Sequence, residues 1–185
     1  MEEFFKNISR LDKETFFALG NLADSSSLIS SWAHWFAIYG IVVAILSLIY
    51  LVAKDRIHAL FTAVLAAIFS SFIYCLLYLI WQSPESLITY ASEFSRVSAG
   101  LEDLRFPSGQ IYLSAAITSA VFLRGHKKLG GFLSVITALI FFSKIIIGAI
   151  YPSGAIISLI IGLIAGILAY WFMEYFEDFW RNHSA

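Results

Sequence analysis

Charge is what this chain has least of. Asp, Glu, Lys and Arg make up only 14% of it against 59% hydrophobic residues, and mean hydropathy is +0.80. So small a polar supply cannot cover a soluble domain, which excludes that class and points to an integral membrane protein. Twelve scattered Lys and Arg against thirteen acids give a net charge of -1 and no concentrated basic face, which excludes a nucleic-acid partner. Cysteine is nearly absent: Cys75 has no second thiol to pair with and reads as a small core residue. His34, His58, His126 and His183 lack ligand spacing, so no metal is expected, and no cofactor. The acidic start Met1-Glu2-Glu3-Phe4-Phe5 and an apolar run that begins only near Trp32 predict no cleavable signal peptide, the first span directing insertion.

What is abundant is apolar sequence in long runs. Stretches approaching the roughly 20 residues a helix needs to cross the hydrocarbon core occur at 33–53, 57–81, 108–123, 129–150 and 154–173. Only helices or closed barrels satisfy their backbone in lipid, so these runs predict an all-α membrane protein. The expected architecture is a bundle of about five transmembrane helices preceded by an amphipathic interfacial N-terminal segment. It reads as one membrane domain over 1–185, with the interfacial segment at 1–31, the bundle at 32–173 and a tail at 174–185.

In the first segment Phe4, Phe5, Ile8, Leu11, Phe16 and Leu19 recur near helical spacing, with Lys6, Arg10 and Lys13 between them. That pattern predicts an interfacial helix, or a pair of short helices broken where Asp12 caps Lys13-Glu14-Thr15. Asp24-Ser25-Ser26-Ser27 reads as a flexible entry into the first span, with Trp32 and Trp35 as interfacial anchors. The turns Lys54-Asp55-Arg56 and Arg124-Gly125-His126-Lys127-Lys128 are separated by two spans and so share one side. The positive-inside rule makes that side cytoplasmic, in a plasma or cytoplasmic membrane, and puts the C-terminus there too.

The N-terminal segment, the loop at 82–107 and the turn at 151–153 then face outward. The loop, with a short helix expected at 85–94, is either a lid over a head-group pocket or a plain spacer. In the fifth span Gly154, Ser158, Gly162 and Gly166 fall at four-residue intervals, a packing face used either within one chain or between two. The tail from Glu174 to Trp180 alternates acids with aromatics and continues the last helix into the interface.

Two turns stand apart from the apolar background: Arg105-Phe106-Pro107-Ser108-Gly109-Gln110, opening the third span, and Tyr151-Pro152-Ser153-Gly154, opening the fifth. Each alone is an ordinary helix N-cap. Their spacing to Ser143-Lys144 is more specific. Together they resemble the type 2 phosphatidic acid phosphatase superfamily, whose members include phosphatases of phosphatidic acid, phosphatidylglycerol phosphate and undecaprenyl diphosphate. That family carries Lys-x6-Arg-Pro, Pro-Ser-Gly-His and Ser-Arg-x5-His-x3-Asp on the outer face of a helical bundle. Pro107-Ser108-Gly109 matches the second motif, and Ser143-Lys144 through Ile150 to Gly154 aligns with the third. The turn from Gly125 to Gly130, the small-residue helix after it and the Phe-rich first segment are also similar, so the resemblance covers most of residues 4–172.

The resemblance implies a phosphohistidine nucleophile in the third motif, an aspartate orienting it and a second-motif histidine as general acid. Here those positions are Ile150, Gly154 and Gln110, and the first motif, aligned on Pro84, has Ser83 for its arginine and Leu76 for its lysine. Isoleucine has no lone pair to attack phosphorus, and a glutamine amide has no proton to transfer near neutral pH.

What remains still suits an anion: Ser108 and Gly109 at a helix N-terminus, with Arg105, Gln110, Ser143 and Lys144 as further candidates. Lys144 lies inside its span and either faces a polar pocket, pairs with Glu85, Glu93 or Glu102, or snorkels outward. Gln110, Ser114 and Thr118 continue a polar stripe down the third span. The sequence thus reads as a catalytically inactive lipid-phosphatase-like membrane protein that binds membrane lipids or partner membrane subunits. Its rivals are a divergent active lipid phosphatase or phosphotransferase using Arg96, Arg105 and Lys144 as cations, and a structural accessory subunit docking through the small-residue face.

Overall fold

The structure is a computed structural model that describes residues 2–80 and 108–183. The expected outward loop at 82–107, with its short helix and with Ser83, Arg96 and Arg105, lies outside the described residues. The described residues form six helices: α1 (Glu2–Ser25), α2 (Ser27–Ala53), α3 (Ile57–Ile80), α4 (Gly109–Leu123), α5 (Lys127–Ile146) and α6 (Pro152–His183). The all-α expectation holds, and α2, α3, α5 and α6 are each long and apolar enough to cross a membrane.

The third expected span differs. α4 has 15 residues, about 22 Å of helix, short of the roughly 30 Å hydrocarbon core. It is instead the most enclosed helix, with Ile111, Tyr112, Ala115, Ala116, Ile117, Ala120 and Val121 all buried. α3, α5 and α6 pack around it, α2 leans on α5, and α1 lies across α5, α2 and α6. Outward faces of the long helices carry Ile45, Ile49, Phe61, Phe72, Val135, Phe142 and Leu168, exposed side chains that suit lipid rather than water.

Small residues make this enclosure possible. Ala44, Ala59, Ala63, Ala66, Ala116, Ala120, Ala165 and Ala169 fill the main core, letting helix backbones approach closely where there is no hydrophobic drive between helices in lipid. The tightest seam joins α4 and α6. A Cβ added at Gly162 would collide with the Tyr112 carbonyl oxygen and lie 2.6 Å from Ala115 Cβ. One added at Gly166 would collide with Ser119 Oγ and lie 2.9 Å from the Ala116 carbonyl oxygen.

Helix ends follow local chemistry. α2, α4 and α5 each stop at a residue in the left-handed region: Asp55 (φ 52°), Gly125 (φ 82°) and Gly148 (φ 74°). All three close by the same paired hydrogen bonds; after α5 the Gly148 N–H donates to the Ile145 carbonyl at 3.0 Å and the Ala149 N–H to that of Lys144 at 2.9 Å. This stop corrects the expected fourth span, which ends at Ile146 rather than Ile150. In the N-terminal region the single-helix alternative holds, and the serine stretch needs one further correction. α1 runs unbroken through Asp12, and only Ser26, in extended conformation, separates it from α2, so the serine stretch is helix end and helix start rather than a flexible entry.

At the end of the bundle away from Ser108, Arg124 ties three helices together. Its Nε donates to Thr62 Oγ1 at 2.7 Å, its Nη2 to Glu177 Oε1 at 2.8 Å, and its guanidinium lies 5.4 Å from the centre of the Tyr170 ring. His58 Nδ1 is 3.0 Å from the same Glu177 oxygen.

Because the α4–α6 seam has no room for a side chain, Gly166→Leu is expected to cost about 3 kcal/mol or more. Thermal unfolding of the protein in mild detergent checks this, with Gly131→Ala, where an added Cβ meets nothing within 4 Å, leaving the transition in place.

Candidate functional site

The two Pro-Ser-Gly turns meet at one end of the bundle. Ser108, extended at φ -77° and ψ 121°, precedes α4 and makes no side-chain capping bond. Its carbonyl accepts the Ile111 and Tyr112 amides at 3.1 and 3.2 Å, starting the helix. Its own N–H donates to Ser158 Oγ at 2.8 Å, and that hydroxyl donates in turn to the Gly154 carbonyl at 2.7 Å. A serine read from the sequence only as a packing residue therefore joins the second-motif turn to the third, and the Ser108 amide expected to face an anion is already engaged.

At the second turn, Tyr151 caps α6 and Pro152 takes its first position, where a missing N–H costs nothing. The Ser153 N–H donates to Asp12 Oδ1 and the Ser153 hydroxyl to Asp12 Oδ2, both at 2.8 Å. Asp12 is thus not the cap of a second N-terminal helix. It reaches from the middle of α1 to cap α6, placing a carboxylate where the unpaired amides and the dipole of a long helix favour negative charge. One turn along α1, Phe16 is 4% exposed and its ring lies 4.6 Å, centre to centre, from that of Tyr151. The polar and the aromatic contact are made by one face of α1, four residues apart.

The position that the sequence resemblance would align with a nucleophile, Ile150, lies in apolar surroundings. Ile150 is 5% exposed and belongs to a cluster with Phe36, Ile111, Ile136, Ile140, Ile145 and Ala155. Gly154, which the resemblance would align with an orienting carboxylate, is buried. Ser143 is buried and Lys144 half-buried in the last turn of α5, where both carbonyls serve the turn that leads to Ile150. Gly109 and Gln110 are half-buried in the first turn of α4. Gln110 Oε1 is shut off from solvent and has no hydrogen-bond partner among the described residues.

The polar stripe below Gln110 closes on itself rather than lining a channel. Ser114 Oγ donates to the Ile111 carbonyl at 3.0 Å, and Thr118 and Thr137 pair their hydroxyls at 3.0 Å between α4 and α5. Beside the Ile150 cluster, and sharing Phe36 with it, Ser31, Trp32 and Trp35 line an apolar hollow of about 500 Å³ at the start of α2.

The structure therefore brings together Ser108, Gly154 and Ser158, sets Ile150 in an apolar cluster nearby, and adds Asp12, which the sequence reading assigned elsewhere. The signal that marks Asp12 is its place one turn before Phe16 on the face of an amphipathic helix. Nothing local names a partner 141 residues away.

Asp12→Ala is expected to destabilise the protein by about 1–2 kcal/mol through loss of a charged helix cap, with Asp12→Asn losing less. Hydrogen exchange checks the location: amides in the middle of α1 and the first turn of α6 lose protection, while those of α4 keep theirs.

No family model and no curated protein sequence matches the chain. Among solved structures its fold is similar to the crystal structure of Aquifex aeolicus LpxE, with a TM-score of 0.55 and 22% sequence identity over 86% of this chain and 94% of that one.

Proposed function

We propose that this chain is a catalytically silent lipid-phosphatase-like membrane protein that binds lipid at the place where its relatives would cleave it. The observation that carries the reading is that Ile150, where the resemblance would put a nucleophile, is a member of an apolar cluster. Phosphoryl transfer through a protein nucleophile needs a lone pair aimed at phosphorus, a group to hold that nucleophile and an acid to protonate the leaving oxygen. Ile150, Gly154 and Gln110 supply none of these. The fold shared with LpxE and the spacing of the two turns support the ancestry. The Trp-lined hollow next to the cluster supports a lipid, since an aromatic, apolar recess at a helix start suits the region where acyl chain meets head group.

The two rival readings draw less support. A divergent phosphatase needs another nucleophile; among the described residues the two turns offer the hydroxyls of Ser108, Tyr151 and Ser153, and that of Ser153 donates to Asp12. An accessory subunit docking through Gly162 and Gly166 needs a free face, and both glycines lie against α4. By the positive-inside rule we orient the Ser108 and Tyr151 turns outward and the C-terminus toward the cytoplasm.

Purified protein given phosphatidic acid, phosphatidylglycerol phosphate or undecaprenyl diphosphate in mixed micelles is expected to release no phosphate above a protein-free control, while at least one of these lipids raises its melting temperature. Release that disappears in Lys144→Ala overturns the silent reading. The orientation has its own check: with Cys75→Ala as background, Ala185→Cys is expected to resist a membrane-impermeant thiol reagent in intact cells and to react once they are opened.

A further inference from the structure

At the opposite end of the bundle from the Pro-Ser-Gly turns, the α2–α3 and α4–α5 connections lie side by side around a hollow of about 380 Å³. Lys54, Arg56, His126, Lys127 and Lys128 line it, over Leu51 and Leu129, and among the described residues no acid is in its lining. The nearest carboxylate in sequence, Asp55, holds the left-handed turn position and is not part of the wall. The neighbouring Arg124 is taken up by Glu177 and Glu174 on α6, so those two acids are engaged outside the hollow. Among the described residues none of Lys54, Arg56, Lys127 and Lys128 has an ion-pair partner.

The backbone adds to the positive field. α5 begins at this hollow, and His126, at its N-cap, makes no side-chain capping bond. The first amides of the helix, including those of Lys127 and Lys128, have no intrahelical acceptor by the geometry of any helix start. A 20-residue helix also places the positive end of its dipole there. The positive-inside rule accounts for cations at a cytoplasmic end of a bundle. It does not account for their convergence from two connections around one recess with an uncapped helix start in its wall.

We propose that this hollow binds the phosphate of an anionic membrane lipid, independently of the pocket at the other end. The ligand chemistry is a phosphate mono- or diester: a compact anion of the right size for a recess walled by lysine and arginine donors and helix amides. A lipid is the source the surroundings favour over a soluble phosphate. Tyr50, on the last turn of α2 and in the wall of the hollow, is an exposed aromatic group against which an acyl chain can lie while its head group enters.

The test uses the full chain in a zwitterionic detergent, with thermal unfolding followed as short-chain phosphatidylglycerol, short-chain phosphatidylcholine or inorganic phosphate is added. Phosphatidylglycerol is expected to raise the melting temperature, less so as salt increases, and phosphatidylcholine to leave it unchanged. In Lys127→Gln/Lys128→Gln the apparent affinity for phosphatidylglycerol should fall about thirtyfold, from roughly one lysine's worth of surface attraction each. The charge-preserving pair Lys127→Arg/Lys128→Arg keeps it and shows that the fold tolerates change there.

An equal response to both lipids, or a phosphatidylglycerol response that survives the glutamine pair, overturns the site. Protection by inorganic phosphate equal to that by phosphatidylglycerol overturns the lipid as its source. Lipid bound near Ile150 would raise the melting temperature too, so the hollow is read from the difference that the glutamine pair makes, and the absence of that difference leaves the proposed function standing.

Discussion

The close approach of α4 and α6 is the contact on which the other features depend. α4 is too short to cross a bilayer alone, so its polar ends and backbone must be sheltered by neighbours. Gly162 and Gly166 let the α6 backbone come against that of α4 at Tyr112 and Ala116. At the same seam Ser158 holds the start of α4 by its first amide and the start of α6 by the Gly154 carbonyl. The seam therefore fixes the register of two helices and sets their two N-terminal turns side by side. The mutual placement of Ser108, Gly154 and Ile150 is a consequence of helix packing before it is a matter of ligand chemistry.

At that meeting of turns, three of the groups a phosphate would engage have partners within the chain. The Ser108 amide has Ser158, and the Ser153 amide and hydroxyl have the two oxygens of Asp12. Ile150 adds to an apolar cluster rather than leaving a polar group in need of a partner. Burying an unpaired polar or charged group is costly, by several kcal/mol for an ion, so a site arranged in this way is stable with nothing bound. Gln110 is the exception: its buried Oε1 accepts no hydrogen bond from the described residues. The far end of the bundle follows the opposite rule, since its lysines and Arg56 gather around a recess with no acid among the described residues of its wall.

Hydropathy made the all-helical class and the long spans legible, because apolar runs of that length have only one backbone solution in lipid. The pairing of the two turns was legible from spacing, and the four-residue period of Gly154, Ser158, Gly162 and Gly166 marked a close helix contact without naming the partner helix. Three things were not legible. The true length of α4 is hidden because a short helix enclosed by its neighbours and a full-length span that faces lipid are both continuously apolar. The end of α5 at Ile146 depends on Gly148 adopting a left-handed conformation inside an apolar run, where a glycine is equally compatible with helix packing. Asp12 was misread because a carboxylate before Lys13-Glu14-Thr15 is a good local cap, and its actual service to Ser153 is a tertiary contact that no local pattern encodes.

The central claim is that phosphate ester bonds survive contact with this site, and a single-turnover experiment addresses it most directly. Phosphatidic acid labelled in its phosphate is incubated with excess protein in micelles, quenched, and divided into lipid, free phosphate and protein-bound fractions. A silent site returns the label as intact lipid, with none attached to the protein. Label recovered on the protein, or released as phosphate faster than from a protein-free micelle, would contradict the claim and require a nucleophile other than the group at position 150.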